Sequence, residues 1–143
     1  MRAWVFLFAS SLALTSAQAG ETAKQGSDST TTYFVEIPTS GGHLEWVGII
    51  RTESGDAMFD KLGVHSAELG GDGNPLFHGH STIIDPQGDM VFTTWAQGTL
   101  QYVGGTGKYA GISGEGTWGC AHPRSPDGRQ LGICQQKSSW KLP

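Results

Sequence analysis

His78-Gly79-His80 is the local pattern in this sequence with the most evident chemical potential. In an extended strand residues i and i+2 share a face, so both imidazoles project to one side and could chelate a divalent cation. Such a site needs further ligands. The next acid, Asp85, belongs to a turn sequence, and no second histidine motif follows, so no metal is assigned. Three placements stay open. The pair can sit half-exposed on an outer wall, with Phe77, Gly79 and Ile83 on the packed side; it can face a lumen and touch a ligand; or it can hold a metal.

Aromatic side chains are the next candidates. Trp46, Trp95, Trp118 and Trp140, with Tyr33, Tyr102 and Tyr109, are spread widely along the chain. Core packing is their default role, because they carry the largest apolar areas. A subset lining a cavity would supply N–H and O–H groups to a bound molecule. The residues selected as ligand contacts are Tyr33, Trp46, Ile50, Trp95, Tyr102, His78 and His80. Acid–base pairs are poorly marked. Glu45, Glu68 and Glu115 fall in expected strands with a solvated face, and one turned inward would have its pKa raised by desolvation and become a candidate acid or base. No G-x-S-x-G elbow is present. No catalytic residue and no cofactor is assigned.

These side chains must be positioned by short strands. Apolar and β-branched runs alternate with turn signals, and no segment sustains a helical period. Strands are expected over 32–37, 43–52, 59–69, 76–84, 90–96, 99–103, 115–120 and 133–142, with a competing short helix around 57–62. Within 43–52, Leu44, Trp46, Gly48 and Ile50 share one face and His43, Glu45 and Arg51 the other. The first face, together with Tyr33, Val35 and Ile37 of the neighbouring strand, is expected to line the interior. Asp85-Pro86-Gln87-Gly88-Asp89 is a hairpin turn, with proline presetting one φ and glycine tolerating positive φ. Gly70-Gly71-Asp72-Gly73-Asn74-Pro75 marks another turn. About eight antiparallel strands in one domain suit a closed barrel or a sandwich. An eight-stranded barrel can be filled by side chains or hold one small ligand.

Gly104-Gly105-Thr106-Gly107-Lys108-Tyr109 lacks the GxxxxGK[ST] pattern leading into a helix that a phosphate-cradling loop requires. The glycines instead let the backbone turn sharply. This segment, continued by Ala110-Gly111 and by Gly114-Glu115-Gly116, resembles the GGTGKY/GGTGRF motif of the allene oxide cyclase-like and dirigent-like barrels. The preceding turn 85–89 and strand 90–95 extend the likeness over roughly residues 77–118. The resemblance implies an all-β fold, a small eight-stranded antiparallel, calycin-like β-barrel with an apolar cavity. It also implies a structural role for Gly104, Gly105 and Gly107. Members include plant cyclases acting on fatty-acid epoxides and dirigent proteins steering phenoxy-radical coupling; no catalytic residue of theirs is carried onto this sequence.

The chain begins with a positive Met1-Arg2, an apolar run over 3–14 and Ala17-Gln18-Ala19, the three parts of a cleavable signal peptide. A run of about a dozen residues is too short for a spanning helix of roughly 20. Residues 1–19 are therefore expected to be removed, residues 20–32 to form a flexible leader, and residues 33–143 to form a single barrel domain, secreted or periplasmic. The formal net charge is −4, one unit more negative without Arg2, and no basic cluster offsets it. Neither nucleic acid nor an anionic membrane is an expected partner. Cys120 and Cys134 form an even pair in an exported chain, which favours a disulfide across the Pro-containing segment 121–133; closing such a loop contributes about 3 kcal/mol. The expected function is binding of a small apolar or aromatic molecule without catalysis. The alternatives are a cyclase or isomerase acting in the cavity, which needs shape more than a triad, and a structural or protein-interaction barrel. Ligand identity and oligomeric state are not legible.

Overall fold

Threonine, valine, isoleucine and aromatic runs stiffen into extended backbone, and the Gly, Pro and Asp clusters between them reverse it. In the computed structural model, residues 24–39, 44–53, 55, 57–69 and 75–143 are described. The strands are β1 (Gln25–Pro38), β2 (Leu44–Thr52), β3 (Ala57–Leu69), β4 (Pro75–Ile84), β5 (Met90–Ala96), β6 (Thr99–Gly105), β7 (Ser113–Ala121) and β8 (Leu131–Lys141), with one 3-10 turn over Gly107–Tyr109. Each strand pairs antiparallel with the next, and β8 pairs back onto β1 to close a barrel. Closure leaves no long unpaired edge in a chain this rich in strand. The expected signal peptide, the first part of the leader, His43 and the turn residues 70–74 lie outside the described residues.

Two expectations are corrected. The segment 25–32 is not a leader: it is the first half of β1, laddered from Gln25↔Lys141 to Thr32↔Cys134 along β8. Its polarity hid a run of strand-forming threonines, and β8 supplies the matching edge. Over 57–62 the strand reading prevails over the competing short helix, with pairing to β2 from Arg51↔Ala57 onward. The second correction concerns the inward face of β1. Trp46 and Ile50 of β2 do point inward, at 6% and 3% exposure, but Tyr33 is 50% exposed and Ile37 also lies outside. The register pairs Thr32 with Ile50 and Glu36 with Trp46, so the even residues of β1, including buried Thr32 and Phe34, share the interior. Both faces of β1 carry apolar residues, and a shift of one position exchanges them.

Two apolar clusters fill the barrel. Near the β1–β2 and β7–β8 connections, Phe34, Trp46 and Cys134 pack with Trp95 and Cys120. Phe34 meets Trp46 edge-on at 5.4 Å, and Trp95 meets Trp118 edge-on at 5.5 Å. Near the opposite end, Ile50, Ile83, Val91 and Ile112 pack with Tyr102, Tyr109, Trp140 and Leu142. Cys120 and Cys134 are directly paired across β7 and β8 and joined by the expected disulfide. The hairpin beyond it turns on Asp127-Gly128, with Gly128 N–H donating to Ser125 O.

Candidate functional site

Alternation along the strands sends one residue in two into the lumen. Asp28 of β1, Gly79 of β4, Trp95 of β5, Leu100 of β6, Gly116 of β7 and Ser138 of β8 meet there around a solvent-open cavity of about 1150 Å³. The glycines leave the wall thin on two sides, Trp95 and Leu100 make it apolar on a third, and Asp28 and Ser138 make it polar on the fourth.

The polar side is organised. Tyr102 Oη and Ser138 Oγ lie 2.8 Å apart, and Gln136 Nε2 donates to the same Ser138 oxygen at 3.5 Å. Trp140 Nε1 donates to Asp28 Oδ2 at 2.6 Å. Burial raises the Tyr102 pKa; the hydrogen bond from Ser138 opposes this, and the Asp28 charge adds to it. The phenol therefore stays protonated at neutral pH and can donate a hydrogen bond. The aromatic side is not satisfied. Trp95 Nε1, Trp46 Nε1 and Thr30 Oγ1 are buried with no hydrogen-bond partner among the described residues. An unmet buried donor costs about 1–3 kcal/mol, and a ligand or water acceptor would relieve it.

Of the residues selected from sequence, Trp95 lines the cavity and Tyr102 belongs to its polar group. Trp46 and Ile50 face inward but are held in the two core clusters. Tyr33 stands on the outer wall. His78 and His80 share the exposed side of β4, His78 at the cavity rim. Among the described residues no group of three or more His, Cys, Asp and Glu side chains could hold a metal. Glu115, on the exposed side of β7, reaches the cavity rim as His78 does, and Glu45 lies on the outer side of β2. Sequence reading missed Asp28, Gln136 and Ser138, and named Trp140 as an aromatic candidate without selecting it as a contact. Asp28 sat in a segment too polar to look structured. The other three had a usable signal: 134, 136, 138 and 140 run at period two from a cysteine to a tryptophan, one face of one strand.

The glycine motif lies away from the cavity and is a latch. Thr106 exchanges two bonds with Met90: its N–H donates to Met90 O, and its hydroxyl accepts the Met90 N–H at 2.8 Å. Lys108 N–H donates to Asp89 Oδ2, its ammonium donates to Gln87 Oε1, and it forms an ion pair with buried Asp85. Asp85 Oδ1 also accepts the N–H groups of Gln87 and Asp89. The Lys108 ammonium and these amides lower the Asp85 pKa against the opposing effect of burial, and Asp85 in turn raises that of Lys108. The packing explains the glycines. A Cβ on Gly105 would lie 2.6 Å from Met90 O, and one on Gly107, at φ +51°, 1.8 Å from Asp89 Oδ1.

No family model matches the sequence, and no curated protein is similar enough to match it. Among solved structures, that of a pterocarpan synthase dirigent protein superimposes with a TM-score of 0.53 at 9% identity, covering 85% of this chain and 88% of that one. At that identity the likeness concerns the backbone alone: this chain has the dirigent-like β-barrel fold.

Proposed function

We propose that this chain is an exported, closed, eight-stranded barrel that binds one small, largely apolar or aromatic molecule in its lumen without transforming it. The observation that carries the reading is the cavity of about 1150 Å³ with an unpartnered indole N–H in its wall. Ligand pockets typically span about 300–1,000 Å³, mostly apolar with a few placed polar groups. Trp95 and Leu100 supply the apolar wall, and Asp28, Ser138 and Tyr102 supply the polar groups. A flat ring with one hydroxyl fits that division, with the ring against Trp95 and the hydroxyl toward the Asp28 carboxylate. The disulfide and the signal-like N-terminus support export.

The test is a titration with naphthol followed by tryptophan fluorescence. A saturable blue shift or quench that disappears in Trp95→Ala, with the variant still folded, supports the reading. No saturable response in the wild type refutes it. A second reading, a cyclase or isomerase, rests on the Asp28 carboxylate facing the same lumen as a protonated Tyr102 phenol, a base and an acid side by side. Asp28→Asn separates the two. A binding protein keeps its ligand and has no turnover to lose, whereas an enzyme keeps affinity and stops forming product from extracts of the producing cell.

A further inference from the structure

The outer wall over β8, β1 and β2 is the most apolar exposed surface among the described residues. Tyr33 and Ile49 are 50% and 53% exposed, with Ile37 and Ile133 close to two-fifths. They form a block, because the register sets Tyr33 beside Ile49 on one side and beside Ile133 on the other, and Val35 beside Val47. Contiguous apolar patches of roughly 300–600 Å² are the largest a typical monomer shows and are often functional. The charges around the block have a definite order. Along the outer side of β2 the sequence runs Glu45, Val47, Ile49, Arg51, an apolar centre with an acid at one end and a base at the other.

We propose that this face docks a second copy of the chain, wall to wall, about a two-fold axis lying in the interface and perpendicular to β2. In an isologous contact residue i meets j and j meets i. Laying β2 antiparallel on its partner copy places Val47 over Ile49 twice and Glu45 over Arg51 twice. β1 repeats the pattern, with Tyr33 over Val35. The strip thus complements itself in shape and charge. It contributes no net charge, although each chain is acidic overall at −4, so the apolar centre joins without bringing like charges together. A standard interface covers roughly 800 Å² per partner, so the apolar block would form the centre of the contact and the polar residues around it the rim. The lumen opens independently of this wall, so the inference does not depend on ligand binding.

Sedimentation velocity on the purified full chain tests it. The expected result is a species of about twice the chain mass that persists on dilution to low micromolar concentration. Ile49→Lys is expected to give single chains with the wild-type melting temperature and far-UV spectrum. Glu45→Arg alone and Arg51→Glu alone should each weaken association about tenfold or more, by setting like charges opposite each other twice. Combining them should restore it to within about threefold. Single chains in the wild type at about 100 μM, a trimer or larger ring, or a double exchange no tighter than the singles overturns the proposal.

Discussion

The glycine latch and the tryptophan-walled lumen use the same kinds of polar atom and treat them in opposite ways. In the latch, where the turn 85–89 meets the segment 104–109, Asp85, Asp89, Thr106 and Lys108 are each engaged by a named partner, Asp85 Oδ2 by the Lys108 ammonium. On the cavity wall, Trp95 Nε1 is buried and unmet among the described residues, as are Trp46 Nε1 and Thr30 Oγ1 elsewhere in the interior. Satisfied buried groups specify a fold, whereas orphaned donors on a cavity wall make room for a molecule that supplies the acceptor. The conspicuous motif is thus structural, and the proposed binding site sits where the sequence looks ordinary.

The largest expected effect comes from removing the cross-link beneath the tryptophans. Cys120→Ala/Cys134→Ala should cost about 3 kcal/mol, read as a lowered urea midpoint, and should loosen Trp46 and Trp95, which pack on the disulfide, so that naphthol affinity falls with stability. Breaking the latch should separate the two quantities. Gly107→Val forces a branched side chain into positive φ and against Asp89, at about 1–3 kcal/mol for the backbone alone. The folded fraction should still bind naphthol with wild-type affinity. A variant that melts normally but no longer binds would reverse the assignment of the two regions.

The latch should also have a pH signature. The folded pKa of Asp85 is lowered, so its contribution to stability is present above the unfolded carboxylate value and is lost as pH falls through the folded one. The folded pKa of Lys108 is raised, so its contribution is present below the unfolded lysine value and is lost as pH rises through the folded one. Melting temperature should therefore hold between those limits, and Lys108→Met should flatten the decline on the alkaline side. An unchanged alkaline decline in that variant would remove Lys108 from the account. The smallest stability effect is expected at the lumen itself. Trp95→Phe removes a buried donor that has no partner, so the roughly 1–3 kcal/mol that its burial costs should offset the smaller ring's lost packing and leave stability near that of the wild type, while naphthol affinity falls several-fold.

How much was legible follows the same division. The hairpin at 85–89, strand β5 over Met90–Ala96, the disulfide and the glycine turn were readable because their chemistry is local: proline and glycine dihedrals, period-two apolarity and an even cysteine pair. The start of β1 was not, because Gln25–Ser29 becomes strand only through its ladder with residues 137–141 of β8, over a hundred positions away. The inward face of β1 was misread for a related reason. Tyr33, Val35 and Ile37 look more like core than Thr32, Phe34 and Glu36, and only the pairing with Ile50 and Trp46 decides which set turns in. Asp28, whose carboxylate meets Trp140, was lost with the strand that carries it.

The most direct test of the central claim is to fill the lumen and ask whether binding goes with it. Ser138 is buried at the junction of the polar and apolar walls, and Ser138→Leu projects a branched chain into the cavity, with overpacking that costs about 1–3 kcal/mol at most sites. Naphthol titrations of wild type and variant, compared after cooperative melting has shown both to be folded, should give saturable one-to-one binding for the first and none for the second. Equal affinity in the two would mean that the molecule binds elsewhere and that the lumen is not the site.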